Sequence, residues 1–277
     1  MIRKEIKIFN ETISYLSEDI DINKPILLFV HGFSDEAARV ISLYRLERNY
    51  NLFALDLPGC GKSSNHIKEP TLEYYSQIVS EFIKKMFGNK FIYLLSHSMG
   101  SVPSLFAGLN NNINKIIMCA PLNYYLIDDK KHYLELLNWL LPNNSEEFYE
   151  SQLNLLSDYD NAKFLEKSVK DNILKIDNEV LNLRKRKFNK IVTQQILNQE
   201  YVNKKIKPLF DKNNCFTIVF AKQDKYVLEK EIQKIIKEQN CDFVEINECG
   251  HAMFYKKYKE INNIINNIIN NDRSKNV

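Results

Sequence analysis

The sequence predicts an α/β chain in which a mostly parallel central sheet is flanked by helices and interrupted by a helical insertion. Three observations carry this expectation. Short apolar runs alternate with helical periodicity in the first part of the chain, and from Leu122 to Lys207 the pattern is helical alone. Alternation then resumes at Phe216. The bulk composition agrees. The chain has 277 residues, 44% apolar and 26% charged, with 38 basic against 35 acidic side chains and a net charge of +3. That is too apolar and too evenly charged for a disordered chain, and too weakly basic for nucleic acid to be expected as a partner.

Taken in order, MIRKEIKIFN has scattered charges and no apolar stretch of signal-peptide length. Ile26–Val30 is a continuous apolar run, as expected for a strand buried on both faces of a parallel sheet. A helix is expected over Asp35–Asn49, from Ala38, Ile41 and Leu46, then a strand at Leu52–Leu55. Thr71 opens a helix that runs to Phe87. Phe91–Leu95 reads as a strand, Pro103–Leu109 as helix and Lys115–Cys119 as strand. These form a core of residues 1–121 and 208–277, and residues 122–207 form an inserted cap. Within the cap, Leu134 to Leu141, Leu153 to Leu156 and Ile173 to Ile176 are pieces of amphipathic helices. Trp139 either lines a pocket there or packs the cap onto the sheet. The run Arg184-Lys185-Arg186-Lys187, with Lys190, reads as a solvated helix face. Phe216–Ala221 is the next strand, Glu229–Gln239 a helix and Asp242–Ile246 a strand. The last helix is marked by Ile261, Ile264, Ile265, Ile268 and Ile269.

No apolar run approaches the roughly 20 residues a membrane span needs. The five cysteines (60, 119, 215, 241, 249) have neither CxxC nor metal-ligand spacing. The expectation is a cytoplasmic protein without stable membrane insertion, metal site or organic cofactor, and the sequence carries no signal for its oligomeric state.

Glycine is scarce, with seven in the chain, well below the average usage of about 7%. Five of them, Gly32, Gly59, Gly61, Gly100 and Gly250, fall in segments that follow expected strands. Open α/β sheets build their sites at those strand ends. Ser96-His97-Ser98-Met99-Gly100 has the small-any-nucleophile-any-small pattern of a sharp strand-to-helix turn, with Ser96 where glycine is usual. A serine hydroxyl needs a base to act as a nucleophile, and the base needs a carboxylate to orient it. In this architecture the chain order is serine, acid, histidine. Ser98, Asp224 and His251 satisfy it. Asp211 and Asp242 stand at the wrong strand ends, and position 123, another place for the acid, is Asn123. Gly61-Lys62-Ser63 does not complete a phosphate-binding loop, because position 56 is Asp56 rather than glycine.

With these residues the chain resembles the α/β-hydrolase fold family, on the serine esterase and lipase branch that includes monoacylglycerol lipases and lysophospholipases. His31-Gly32-Phe33 resembles the family's HG oxyanion segment, and Asp56–Ser63 its DxPGxGxS loop. The resemblance covers about residues 25–125 and 205–265. It implies an oxyanion hole made by the backbone N–H groups of Phe33 and Met99, with His31, Gly32, Ser96 and Gly100 in structural roles. His97 is expected to neighbour the site without taking part. The implied activity is hydrolysis of carboxylic esters, lipid-derived acyl esters among them, through an acyl-enzyme on Ser98. The partner is then a small-molecule ester. Thioester or carbon–carbon bond hydrolysis uses the same triad and stays open. Aminopeptidase activity fits less well, because HGFS and SHSMG depart from that branch's HGGPG and GGSWG patterns. A non-catalytic member binding a small ligand is the alternative outside enzymes.

Overall fold

The structure, a computed structural model, describes residues 1–160 and 166–274. Eight strands, β1 (Ile2–Ile8), β2 (Glu11–Ser17), β3 (Ile26–Val30), β4 (Asn51–Leu55), β5 (Ile92–His97), β6 (Ile113–Cys119), β7 (Phe216–Ala221) and β8 (Asp242–Ile246), form one sheet. Their order is β1-β2-β4-β3-β5-β6-β7-β8. The pairs β1/β2 and β2/β4 are antiparallel and the rest are parallel. Strand order therefore reverses at β3, which has β4 on one side and β5 on the other. Such a reversal opens a crevice at the carboxyl ends of those strands.

The alternation inside β3 explains why helices cover both faces. Leu28 and Val30 join one core with α2 (Leu72–Phe87), α3 (Ser101–Asn110) and α10 (Glu229–Gln239). Leu27 and Phe29 join the other with α11 (Met253–Lys256) and α12 (Tyr258–Ser274), through Met253, Ile261, Ile265 and Ile269. A strand with both faces buried must be apolar throughout, and β3 is. Between β6 and β7 lie α4 (Lys130–Leu140), α5 (Ser145–Asn154), α6 (Lys167–Leu174), α7 (Asn178–Ile191), α8 (Gln199–Tyr201) and α9 (Lys207–Lys212), with π-helical turns at Val192–Ile196 and Val202–Ile206. The insertion is thus helical among the described residues, as expected. No helix is long and apolar enough to cross a membrane.

Two elements differ from the sequence expectation. The long helix at 35–49 is a 3-10 turn at Ala37–Val40 followed by α1 (Ile41–Tyr44). Beyond α1, Arg48 is ion-paired to Glu18 at 2.7 Å and donates to the carbonyls of Tyr44 and Tyr50 at 3.4 Å, so the segment that follows is tied to the end of β2 instead of continuing as helix. The hairpin β1–β2, not assigned from sequence, caps the sheet edge and turns at Phe9, whose φ is 51°. It also delivers Arg3 to the buried Asp56 carboxylate at 2.6 Å. Asp56 in turn accepts the N–H groups of Ala37 and Lys62 at 2.6 and 2.9 Å. The loop that follows β4 is therefore built around a carboxylate whose charge a β1 side chain balances.

Candidate active site

β5 ends at His97, and the chain turns at once into a short 3-10 turn, Ser98–Gly100, that feeds α3. Ser98 takes up the reversal with φ 51°, a left-handed conformation that costs a non-glycine residue about 1–2 kcal/mol. The turn also brings backbone against backbone. A Cβ at Gly100 would lie 2.3 Å from the Val30 carbonyl oxygen and 2.6 Å from that of His31, so only glycine fits there. Ser96, at the other small position, is fully buried between β3 and β6, and its hydroxyl has no hydrogen-bond partner among the described residues.

Asp224 follows β7 and His251 follows β8, and the fold brings them together. The Asp224 Oδ2 lies 2.8 Å from His251 Nδ1, with both side chains buried. The other carboxylate oxygen accepts the N–H groups of Tyr226 and Val227 at 2.8 and 2.9 Å, which fixes the plane of the acid. A carboxylate facing Nδ1 holds the proton on that nitrogen and leaves Nε2 as the basic one. The imidazole is held from both sides. The Tyr226 ring stacks on it at 5.0 Å, and the His97 ring lies at 4.8 Å. His251 and Ser98 line one cavity of about 240 Å³, with Gly32, Phe33 and His97. No hydrogen bond joins the Ser98 hydroxyl to His251 among the described residues; such contacts are often long until substrate is bound.

Two further histidines near the site, His31 and His97, hold backbone. His31 donates from Nδ1 to the Gly32 carbonyl at 2.7 Å and accepts the Leu57 N–H on Nε2 at 2.9 Å, tying the loop after β3 to the loop after β4. Accepting at Nε2 requires the neutral ring, and burial lowers its pKa accordingly. His97 donates from Nε2 to the His251 carbonyl at 2.9 Å, while its buried Nδ1 has no partner. Burial, reinforced by the neighbouring His251, lowers the His97 pKa to about 4. The unfolded chain therefore takes up a proton between about pH 6.5 and pH 4 that the folded chain refuses, so stability falls as pH drops through that window. We expect His97→Gln to remove much of this acid sensitivity, on the order of 3 kcal/mol across the window. Denaturant melts at pH 7 and pH 4.5 measure it, and equal losses in both proteins would refute the assignment.

The insertion sits on this site. Trp139 both lines the cavity and packs on Tyr226 at 5.0 Å, so the two roles left open by the sequence coincide. Gly250 is wedged beneath the end of α5, where a Cβ would lie 2.5–2.8 Å from backbone atoms of residues 155–157. Just past the end of α5 at Asn154, Ala252 donates its N–H to the Leu155 carbonyl at 2.8 Å, so a carbonyl that the helix leaves open is satisfied by the loop that carries His251. The basic run divides. Lys185 donates to Asn143 Oδ1 at 2.6 Å, Lys187 bonds the Gly59 carbonyl and Arg186 is exposed. Arg184 faces the cavity, which the reading of the run as a solvated face had missed; a charged run on a helix shows no face until its packing is known. Beside Ser98 a second, apolar cavity of about 30 Å³ opens among Met99, Leu122, Leu126, Leu136, Ile196 and Val227.

A family model described as alpha/beta hydrolase fold matches residues 25–258. No curated protein matches the chain. Among solved structures, a membrane phospholipase A described as a bacterial virulence factor superposes with a TM-score of 0.76 at 17% identity, covering 98% of this chain and 86% of that one. A thermophilic esterase from Thermogutta terrifontis gives 0.71 at 15%, covering 98% and 99%. The 2-hydroxy-6-oxo-6-phenylhexa-2,4-dienoate hydrolase from Rhodococcus sp. strain RHA1 gives 0.68 at 17%, covering 95% and 96%. At these identities the likeness is one of fold, and the three are named for different substrates on a shared scaffold.

Proposed function

The chain belongs to the α/β-hydrolase fold family, and from that premise we propose that it is a serine hydrolase of carboxylic esters working through an acyl-enzyme on Ser98. The observation that carries this reading is one cavity lined by Ser98, held at φ 51° on a strand-to-helix turn, and by His251, whose Nδ1 is fixed by Asp224.

The chemistry follows from the tautomer. With Nδ1–H directed at Asp224, His251 Nε2 takes the Ser98 proton as the hydroxyl oxygen attacks the acyl carbon. The carbonyl oxygen gains charge, and the backbone N–H groups of Phe33 and Met99 are the donors we assign to it. Such donors are typically worth about 3 kcal/mol of barrier each. His251 then gives its proton to the leaving alcohol, and afterwards activates the water that releases the acid. Asp224 stays ionised throughout and balances the imidazolium. The residues of the insertion over this cavity act as the cap that shapes the substrate.

The acyl group is assigned to the apolar cavity beside Ser98. A space of about 30 Å³ accommodates about two to three water-sized groups, which favours acetyl to butyryl chains over the long chains of lipids. A fluorophosphonate probe is expected to label Ser98. On nitrophenyl esters, kcat/KM is expected to fall at least about tenfold from butyryl to octanoyl, since overfilling a packed pocket costs about 1–3 kcal/mol. Failure to label Ser98 would overturn the esterase reading, and dominant activity on long chains would overturn the acyl assignment alone.

A further inference from the structure

The larger cavity holds a positive charge that the protein does not neutralise. Its formally charged lining residues are Asp35, Arg39 and Arg184. Asp35 and Arg39 cancel, since the guanidinium reaches both carboxylate oxygens at 2.8–3.1 Å. Arg184 forms no ion pair among the described residues. Its Nη1 donates to the Leu140 carbonyl at 2.7 Å and its Nε to the Ser34 hydroxyl at 3.3 Å, both neutral acceptors. A guanidinium carries five N–H bonds, so three are left without a protein acceptor among the described residues. The head group lies over the Phe33 ring, 5.2 Å from its centroid, and Phe33 packs edge-on against Phe188 at 5.0 Å, so its position is fixed. A half-buried guanidinium that lacks a counter-charge bears a desolvation cost that a bound anion offsets.

The two cavities locate that anion on the substrate. Phe33, Ser98, Leu140 and Tyr226 line both, whereas Arg184 lines only the larger. With the acyl group in the apolar cavity, the alcohol part of the ester extends toward Arg184. We propose that Arg184 is a specificity-determining residue that binds a carboxylate or phosphate group on the alcohol part of the substrate. A planar fork of donors suits both groups, bidentately. This inference rests on the reading of the site as a serine esterase.

The test compares kcat/KM for phenyl butyrate, 4-carboxyphenyl butyrate, 4-(phosphonooxy)phenyl butyrate and the phenyl monoester of glutaric acid. The unaltered protein is expected to prefer at least one of the two butyrates with an anionic alcohol part by about tenfold or more, and the preferred one identifies the group. Arg184→Gln is expected to abolish that preference and Arg184→Lys to keep part of it. A role limited to bracing Leu140 and Ser34 would lower every ester by the same factor and leave the ratios unchanged, which would overturn the proposal. A preference for the glutarate monoester would overturn the placement on the alcohol side. Should Arg184→Gln not fold, the ratios of the unaltered protein and of Arg184→Lys decide. If no ester is turned over, the esterase reading fails, and calorimetric titration of Ser98→Ala with 4-carboxyphenyl butyrate and phenyl butyrate decides the other question. Tighter binding of the carboxylate, lost on adding Arg184→Gln, supports the anion site, and equal or absent binding overturns it.

Discussion

Ser98→Ala is expected to lower kcat for nitrophenyl butyrate by at least about 10⁴-fold while the protein stays folded. In triads of this kind, loss of the nucleophile leaves only the catalysis supplied by binding and by the oxyanion donors. The turn itself allows a sharper form of the test. Alanine at φ 51° keeps the left-handed strain of Ser98, so Ser98→Ala is expected to leave stability nearly unchanged. Ser98→Gly removes the Cβ that is strained there and is expected to stabilise by about 1 kcal/mol while losing activity equally. Thermal melts beside initial rates separate the two quantities. Activity within tenfold of the unaltered protein in either variant would remove Ser98 from the mechanism.

Asp224→Asn is expected to cost about 10³–10⁴-fold in kcat/KM with little loss of structure. The surroundings of Asp224 dictate how. Two backbone N–H groups, from Tyr226 and Val227, converge on Oδ1. An asparagine must therefore place its carbonyl oxygen there, because its NH2 group would face two donors. That puts the NH2 toward His251 Nδ1, where Asp224 Oδ2 lies at 2.8 Å. The ring then has to accept at Nδ1 and carry its proton on Nε2, and an imidazole in that form cannot take the serine proton. Nitrogen-15 chemical shifts of His251 read the tautomer directly. An unchanged tautomer, or a rate loss below tenfold, would contradict the assignment.

How far the sequence revealed this arrangement depended on whether a signal was local. The strands β7 and β8 and the helix at 229–239 emerged with their observed bounds, because apolar runs and helical spacing are local and unambiguous there. The sharp turn at Ser98 was legible for the same reason, since nucleophile and small neighbours lie within five residues. Asp224 and His251 were named from chain order and strand ends alone, and the structure brings those two together at 2.8 Å. What escaped depends on distant partners. The short α1 is followed by a segment that Arg48 ties to Glu18 at the end of β2, thirty residues away in the chain. The hairpin β1–β2 has one largely exposed strand whose alternation is diluted by charge. The placement of Arg184, like that of Arg3 on Asp56, exists only once elements far apart in the chain have packed.

The junction between the end of α5 and the loop after β8 bears on how such a protein can change over evolutionary time. Chain connectivity alone attaches the insertion to the core at its two ends. Here the insertion has further attachments: Ala252 bonds Leu155, the Tyr226 hydroxyl donates to the Ser151 carbonyl at 3.0 Å, and Lys256 pairs with Asp160 at 2.7 Å. Tyr226 is itself one of the acid's two backbone ligands, and Ala252 directly follows the histidine. Two of these contacts end on backbone carbonyls, so an exchanged cap keeps them only if a helix end lies at the same height, whereas the third needs the Asp160 side chain itself. The cap can therefore change its helix faces over the cavity more readily than its height above the loop that carries His251.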